Sequence, residues 1–123
     1  MPLPIDFNLY LITDRHQLPA GQTLPAVIEA ALQGGVQAVQ LREKDLSVDE
    51  LLPLARELRS LTCQYGARLL INDSIDVALA VGADGVHLGQ DDLPVTAARA
   101  LAPDLLIGAS THSLEQALAA QAA

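Results

Sequence analysis

The sequence predicts an α/β protein with a parallel sheet, formed by five consecutive strand–helix units in a single domain that spans residues 1–123. Short runs rich in Val, Ile and Leu alternate with longer stretches whose apolar residues recur at helical spacing. The connections are short, and most contain Gly or Pro. Aromatic residues make up only 2% of the chain. This composition is typical of helices that pack on buried parallel strands.

The five units follow one another along the chain. The predicted strands are residues 8–12, 36–41, 67–71, 85–88 and 105–108. The predicted helices are residues 23–33, 47–65, 74–81, 94–101 and 113–123. Two helix starts have the spacing of a capping box, Ser47 with Glu50 and Ser113 with Gln116. In that motif the side chain of each residue accepts the backbone N–H of the other.

Two architectures are compatible with five units of this kind. A doubly wound sheet of five strands would be complete at this length. A TIM (βα)₈ barrel typically needs about 200 residues or more, so the chain would hold five of its eight units and be incomplete. A weak internal repeat favours the barrel, because residues 31–41 and 78–88 share a helix end, a glycine and a strand. The residues alone leave both architectures open.

Charge and composition argue against several classes of function. The formal net charge is −8, from 15 acidic residues against 7 Lys and Arg, which argues against binding to nucleic acid or to an anionic membrane. No apolar run approaches the roughly 18 residues that span a bilayer, and residues 1–7 lack the basic region of a signal peptide. Cys63 is the only cysteine, and we expect it to be a helix-packing thiol. These features predict a cytoplasmic protein.

Four polar clusters follow four of the predicted strands, each just past the carboxyl end. They are residues 40–44, 72–73, 90–92 and 110–112. The carboxyl ends of parallel strands lie at one edge of the sheet, where α/β proteins hold their ligands, so we expect the clusters to converge. In the first cluster, alternation of side chains turns Gln40, Arg42 and Lys44 to one side. One amide and two cations are suited to binding a phosphate.

Carboxylates beside these cations would repel a phosphate unless a divalent cation lay between them. Mg²⁺ is typically held by one or two carboxylates together with phosphate oxygens and water. Asp73 and Asp92 are therefore the candidate Mg²⁺ ligands, and Arg42 and Lys44 are the candidate phosphate-binding cations. The alternative is structural, because Asn, Asp and Ser at strand–helix turns commonly cap helices. Asp92 would then cap the fourth helix, and Asn72 or Asp73 the third.

Four other titratable residues have structural explanations. His87 lies within a predicted strand, and we expect it in the core or inside a barrel rather than on a ligand. His16 and His112 lie at loop edges, where contact with substrate is one alternative, and we expect them to be exposed to solvent. Asp84 precedes the fourth strand, at the end of the sheet opposite the clusters, and is expected to be structural.

Five segments carry a more specific pattern. They are YLITDR (residues 10–15), QLREKD (40–45), LIND (70–73), GADGVHLGQDD (82–92) and GASTH (108–112). Together they resemble the family of thiamine-phosphate synthases and thiazole tautomerases, from about residue 8 to the last residue. The resemblance implies a (βα)₈ barrel and a transferase of thiamine biosynthesis. That enzyme condenses 4-amino-2-methyl-5-pyrimidinylmethyl diphosphate with a thiazole phosphate to give thiamine phosphate and diphosphate.

The resemblance also implies roles for individual residues. The residues implied to bind the pyrimidine diphosphate are Gln40, Leu41, Arg42, Glu43, Lys44, Asn72 and Ser110. Arg42 and Lys44 would also act in catalysis, and Asp73 and Asp92 would hold Mg²⁺. The expected partners are the two small-molecule substrates and, in a homo-oligomer, further copies of the chain. Neither nucleic acid nor a membrane is expected.

The resemblance further implies three strand–helix units beyond residue 123, which carry the thiazole-phosphate site in the family. The chain is therefore expected to hold the diphosphate and metal half of the site and to lack full activity by itself. One alternative is a non-catalytic truncated barrel that binds an Mg–diphosphate ligand or pairs with another chain. A second is a thiazole tautomerase-like enzyme. Retention of Asp73, Asp92 and Lys44 favours the synthase, because the tautomerases usually lack this set.

Overall fold

In the computed structural model of the protein, which describes residues 3–123, five short strands alternate with five α-helices. The strands are β1 (Tyr10–Ile12), β2 (Ala38–Leu41), β3 (Arg68–Asn72), β4 (Gly85–Leu88) and β5 (Leu106–Ala109). The helices are α1 (Leu24–Gln33), α2 (Val48–Gln64), α3 (Ile75–Val81), α4 (Val95–Leu101) and α5 (Leu114–Ala122). A 3₁₀ helix at Arg15–Gln17 was not predicted. Across residues 3–123, no helix has the length and apolar character needed to cross a membrane.

The strands lie in the sheet in chain order, β1-β2-β3-β4-β5, and every neighbouring pair is parallel. A doubly wound sheet reverses its strand order, so that alternative is wrong for the described residues. Crossovers between neighbouring parallel strands are almost always right-handed, which places successive helices on one face of the sheet. Helix α2 contacts both α1 and α3, as this arrangement requires. The predicted parallel α/β architecture is confirmed.

One face of the sheet is buried beneath the helices. Val39 and Leu41 of β2 lie on this face with Leu69 and Ile71 of β3, and each is at most 1% exposed. They share one hydrophobic core with side chains from three helices, namely Ile28, Leu32, Leu51, Ala55, Leu58, Val77 and Ala78. Burial of each large aliphatic side chain stabilises the fold by about 1.5–3 kcal/mol. This core therefore fixes the positions of the strand ends.

The opposite face of the sheet is more polar. Gln40, Asn72 and His87 lie on it, and Ile12 of the edge strand β1 lies beside Gln40. Ile12 is 52% exposed, whereas Gln40 is 1% exposed. Glutamine, asparagine and histidine are uncommon in hydrophobic cores. Their presence on this face indicates that it is the face next to the polar clusters.

Strand β1 begins at Tyr10, two residues later than predicted. The backbone N–H groups of Asn8 and Leu9 both donate to Oε1 of Gln37, at 2.7 and 3.2 Å. A side chain there replaces the neighbouring strand as the acceptor, so the parallel ladder starts only at Tyr10. The other strand ends differ from the prediction by no more than two residues.

The predicted capping box of α2 is confirmed. The N–H of Glu50 donates to Oγ of Ser47 at 3.2 Å, and the N–H of Ser47 donates to Oε1 of Glu50 at 3.1 Å. The same prediction for α5 is wrong in one half, because Oε1 of Gln116 accepts the N–H of His112 at 2.7 Å. The backbone of Ser113 is more extended than that of Ser47, with φ of −153° against −68°. This conformation presents the preceding N–H to the glutamine.

Charged residues hold the end of the sheet opposite the clusters. Oδ2 of Asp84 accepts hydrogen bonds from Nη1 of Arg59 and from the N–H of Leu69, both at 2.8 Å. The structural role predicted for Asp84 is therefore confirmed. Cys63 is exposed, and its Sγ accepts a hydrogen bond from Nε of Arg59 at 3.1 Å, so the prediction of a packing thiol is wrong. Thr62 is the buried residue of that helical turn, so Cys63, which follows it, lies on the surface.

Candidate functional site

The carboxyl ends of β2, β3, β4 and β5 surround an open cavity of about 700 Å³. All four polar clusters contribute to its wall. The wall residues that the sequence singled out are Gln40, Leu41, Arg42, Glu43, Lys44, Asn72, Asp73, His87, Asp92, Ser110 and His112. The fold brings them together because parallel strands end at the same edge of the sheet.

A row of hydrogen-bonded side chains runs from the cavity wall to strand β1. Nδ2 of Asn72 donates to Oε1 of Gln40 at 3.2 Å, and Nε2 of Gln40 donates to the hydroxyl of Tyr10 at 3.0 Å. Gln40 is almost fully buried, so these two bonds fix its amide. Burial raises the pKa of Tyr10 above its ordinary value, and the hydrogen bond from Gln40 offsets part of this effect. Tyr10 therefore remains a neutral phenol at neutral pH.

The side chains of residues 41–44 alternate between buried and exposed. Arg42 and Lys44 are exposed at the cavity, and neither side chain has a hydrogen-bond or ion-pair partner within the described part of the chain. Leu41 lies in the core, and the Glu43 side chain is 1% exposed. Two cations without partners, in a chain of net charge −8, are the groups expected at a site for a small anion.

Asp73 and Asp92 lie together in the cavity wall. A hydrogen bond with Asp92 raises the pKa of Asp73 above its ordinary value, burial and the charge of Asp92 add to the increase, and Lys44 opposes it. Oδ2 of Asp92 accepts the N–H of Gly89 at 2.6 Å. Asp73 has a left-handed backbone, with φ of 68°, and its N–H donates to the carbonyl of His87 at 2.7 Å. Backbone strain of this kind is concentrated at functional sites.

Helix capping does not explain these carboxylates. Ser74, rather than Asn72 or Asp73, caps α3, because its Oγ accepts a backbone N–H of the first turn at 3.1 Å. Helix α4 begins after Pro94 without a side-chain cap, so Asp92 does not cap it. The helix-capping alternative is therefore wrong for all three residues, and the structural bond of Asp92 is instead to the N–H of Gly89 in its own turn.

The pair of carboxylates suits a divalent cation. Two carboxyl groups in contact do not readily ionise together, and a cation between them removes the repulsion. Within residues 3–123, no group of three or more His, Cys, Asp or Glu side chains is placed to hold a metal. Mg²⁺ needs no such group, because phosphate oxygens and water complete its coordination. The donor set therefore fits Mg²⁺ that is bound together with a phosphate.

His87 and Ser110 form the wall beside β5. Nε2 of His87 lies 2.8 Å from Oγ of Ser110. Gly108 makes room for the ring, since a Cβ atom there would lie 2.5 Å from Nδ1 of His87. Burial lowers the pKa of His87 below its ordinary value, Asp92 raises it, and Arg42 lowers it. The imidazole is therefore neutral at neutral pH. It is half-buried in the cavity wall and lies outside the hydrophobic core.

Two residues without a predicted site role, Thr13 and Arg15, follow β1. Thr13 is 3% exposed, and its hydroxyl donates to Oε2 of Glu43 at 2.6 Å. Arg15 contacts Oδ2 of Asp45 through Nη2 at 2.7 Å, and Nε2 of His16 lies 2.9 Å from the same oxygen. The predicted exposure of His16 is confirmed, as is that of His112 at the cavity rim. Nothing in the spacing of residues some 30 apart signalled these contacts.

Residues 9–123 match a protein family described as thiamine monophosphate synthase. The chain belongs to the thiamine monophosphate synthase family. This membership confirms the resemblance that the five sequence segments indicated. It also means that the cavity lies in a part of the chain that the family shares, because the match covers every residue of its wall.

Relatives of the thiamine monophosphate synthase family are similar over nearly the whole chain. A curated relative from Geobacter sulfurreducens is 59% identical over 119 residues, 96% of this chain and 55% of that protein. The thiamine-phosphate synthase of Chloroflexus aurantiacus is 51% identical over 116 residues, 94% of this chain and 53% of that protein. The solved structure of the thiamine phosphate pyrophosphorylase from Pyrococcus furiosus has a TM-score of 0.86 and 44% identity, over 94% of this chain and 55% of that one. The chain spans about half the length of the curated relatives it matches.

Proposed function

We propose that this chain forms the diphosphate- and Mg²⁺-binding part of a thiamine-phosphate synthase active site. One observation carries the proposal. Arg42 and Lys44, whose side chains have no hydrogen-bond or ion-pair partner within the described residues, share a cavity with the paired carboxylates of Asp73 and Asp92. An Mg²⁺–diphosphate ligand complements both pairs, since the cations bind its oxygens and the carboxylates bind the metal. Family membership and the names of the relatives support the same function.

We also propose that the five strand–helix units are five of the eight units of a TIM barrel. The strand order never reverses, which is how strands run around such a barrel. The similarity to the Pyrococcus furiosus structure extends over 55% of that chain. A barrel of this kind has its active site at the carboxyl ends of its strands, where the cavity lies.

The proposed reaction joins 4-amino-2-methyl-5-pyrimidinylmethyl diphosphate to a thiazole phosphate. The C–O bond to the diphosphate breaks, and its electron pair leaves with the diphosphate. The lone pair of the thiazole nitrogen then captures the pyrimidine-methyl cation and forms the new C–N bond, a step that needs no general base. Thiamine phosphate and diphosphate result. Catalysis of such a reaction consists of charge stabilisation and alignment.

The charged residues act on the leaving diphosphate. Arg42 and Lys44 stabilise the negative charge that develops on it as the C–O bond breaks. Asp73 and Asp92 would hold Mg²⁺, which when bound supplies further positive charge at the same oxygens. A hydrogen bond of its backbone N–H and contact with Asp92 fix the position of Asp73 at the cavity.

The neutral residues orient the pyrimidine diphosphate. Asn72 presents an amide group whose orientation is set by its hydrogen bond to Gln40, and Ser110 presents a hydroxyl to the same cavity. Gln40 is only 1% exposed and both ends of its amide are bonded within the protein, so we propose that it acts by orienting Asn72. The resemblance also places Leu41 and Glu43 among the binding residues. Their side chains are buried away from solvent, so we propose that they support the loop instead of binding substrate through their side chains.

Calorimetric titration of the 123-residue chain with inorganic diphosphate, with and without Mg²⁺, tests the proposed site. We expect binding that depends on Mg²⁺. Lys44→Ala and Arg42→Ala should each weaken it about tenfold or more, because each removes a charged hydrogen-bond donor from an anion. A turnover assay with both substrates then tests whether the chain alone completes the reaction.

Arg56→Ala is the matched control for these two variants. Arg56 is an exposed cation of α2 outside the cavity wall, so its removal changes the net charge equally. Its affinity for Mg²⁺–diphosphate should stay within about twofold of the unaltered chain. An equal loss in all three variants would mean that overall charge, not this site, binds the anion, and would contradict the proposal.

Association with another chain that carries strand–helix units is a second candidate function. Strands β1 and β5 each have one neighbour in the sheet of the described residues, and Ile12 of β1 is 52% exposed. Unpaired edge strands readily pair with further strands. Sedimentation equilibrium should then give a mass above 13.0 kDa that rises with concentration. Ile12→Lys should reduce it, whereas Ile5→Lys, at an exposed residue outside the sheet, should not.

A further inference from the structure

We infer that Thr13 and Glu43 are positioning residues, which hold the backbone of Arg42 so that its guanidinium faces the cavity. This inference rests on the proposed diphosphate site and deepens it. It also replaces the role that the resemblance suggested for Glu43, namely direct contact with the substrate. The carboxylate of Glu43 instead contacts other groups of the protein.

The hydroxyl of Thr13 links the segment after β1 to the segment after β2. It donates to Oε2 of Glu43 at 2.6 Å and accepts the N–H of Arg42 at 2.9 Å. The N–H of Thr13 itself donates to the carbonyl of Gln40 at 3.0 Å. An ionised carboxylate only accepts and a backbone N–H only donates, so the hydroxyl proton has one consistent position. Arg42 is thus tied to the end of β1 through a single oxygen atom.

Both carboxylate oxygens of Glu43 accept hydrogen bonds in this network. Its side chain is 1% exposed, and its second oxygen, Oε1, accepts the N–H of Arg15 at 3.0 Å. Nη1 of Arg15 lies 3.9 Å from the same oxygen. A buried carboxylate is costly unless it is hydrogen-bonded and near a positive charge, and both conditions are met here by residues that follow β1. These bonds direct the Glu43 carboxylate toward Thr13 and Arg15.

The orientation of Glu43 then sets the direction of Arg42. Glu43 and Asp45 both face the segment that follows β1, since Asp45 contacts Arg15 at 2.7 Å. Arg42 and Glu43 are neighbours just after β2, so their side chains face opposite ways and Arg42 faces the cavity. Lys44 lies in the turn that follows, which is closed by the bond from the N–H of Leu46 to the carbonyl of Glu43 at 3.1 Å, and it lines the same cavity.

Three forms of the chain test the inference. Thr13→Val removes the hydroxyl with little change in shape, and Thr13→Ser keeps the hydroxyl and removes the methyl group. Glu43→Gln keeps the shape of the carboxylate and is the second variant if Thr13→Val fails to fold. The readouts are hydrogen exchange at the Arg42 amide, affinity for inorganic diphosphate with Mg²⁺ per folded molecule, and unfolding in urea.

We expect Thr13→Val to raise the exchange rate of the Arg42 amide about tenfold or more, because the acceptor of that N–H is lost. Its affinity for Mg²⁺–diphosphate should fall about fivefold or more, while Thr13→Ser stays close to the unaltered chain in both measurements. A residue that only stabilises the fold would change urea unfolding and leave the affinity of folded molecules unchanged.

Two results would overturn the inference. One is unchanged diphosphate affinity in Thr13→Val, whether or not the Arg42 amide exchanges faster. The other is an equal loss in Thr13→Ser, which would show that the methyl group and not the hydroxyl matters. If the unaltered chain does not bind Mg²⁺–diphosphate, the proposed function is wrong, and exchange at the Arg42 amide still decides whether the hydroxyl holds the loop.

Discussion

Asp73→Asn is expected to abolish Mg²⁺-dependent binding of diphosphate while making the metal-free chain more stable. The loss follows because an amide is a poor substitute for a carboxylate at a hard cation, and we expect affinity to fall at least about 100-fold. The gain follows because Asp73 is in contact with Asp92 and has a raised pKa. Asparagine also tolerates the left-handed backbone at this position better than most residues.

The sign of the stability effect follows from the direction of the pKa shift. A carboxyl group whose pKa is raised by folding ionises less readily in the folded than in the unfolded chain. Its contribution to the free energy of unfolding is therefore present at low pH and is lost as the pH rises through the raised pKa. At neutral pH Asp73 destabilises the metal-free fold, and Asp73→Asn removes that effect.

Calorimetry and urea unfolding, each with and without Mg²⁺, measure both parts of this prediction. Asp91→Asn is the control, because it makes the same change in charge at an exposed neighbouring position of the cavity wall. It should retain most of the Mg²⁺-dependent affinity and gain little stability. If Asp73→Asn instead retained the affinity of the unaltered chain, the metal would be bound elsewhere.

Gly85→Ala is expected to destabilise the fold by about 3 kcal/mol or more. A Cβ atom on Gly85 would lie 2.6 Å from the carbonyl oxygen and 2.7 Å from the Cβ of Leu106, its partner on β5. The first of these is a backbone atom held in the sheet, so the contact can be relieved only by separating the two strands. The midpoint of urea unfolding, followed by far-UV circular dichroism, measures the effect.

Gly34→Ala is the matched control for Gly85. Gly34 caps α1 with an ordinary right-handed backbone, φ of −81°, and a Cβ there would meet its nearest atom at 3.4 Å. Alanine has a higher helix propensity than glycine, so the change in stability should be small or favourable, up to about 1 kcal/mol. A Gly85→Ala variant as stable as Gly34→Ala would show that β4 and β5 are not packed as closely as described.

The order and type of the elements could be predicted because helical and strand periodicities were both strong. Local competition for hydrogen bonds was harder to predict. Gln37 takes the N–H groups that would have begun β1 earlier, and the extended backbone at Ser113 diverts the side chain of Gln116. In both cases a polar side chain offers the backbone an alternative partner, which hydrophobic spacing does not reveal.

The candidate site was likewise predictable only in part. The positions of Arg42, Lys44, Asp73 and Asp92 at strand ends followed from the alternation of strands and helices. The buried contact of Glu43 did not, because its partner precedes it by 30 residues and both side chains are polar. A pattern in the sequence can place such a residue at the edge of the sheet, but only the geometry of two loops shows which way it turns.

The strict chain order of the strands also bears on how this protein forms during synthesis. Each strand pairs with the one made just before it, as Tyr10 with Ala38 and Gly85 with Leu106, so every closure joins segments that are near in sequence. Contacts between near segments form quickly, because little chain entropy is lost when they meet. Each strand–helix unit that emerges from the ribosome can therefore join a sheet formed by the earlier units. The strand made last is always the edge to which the next strand is added.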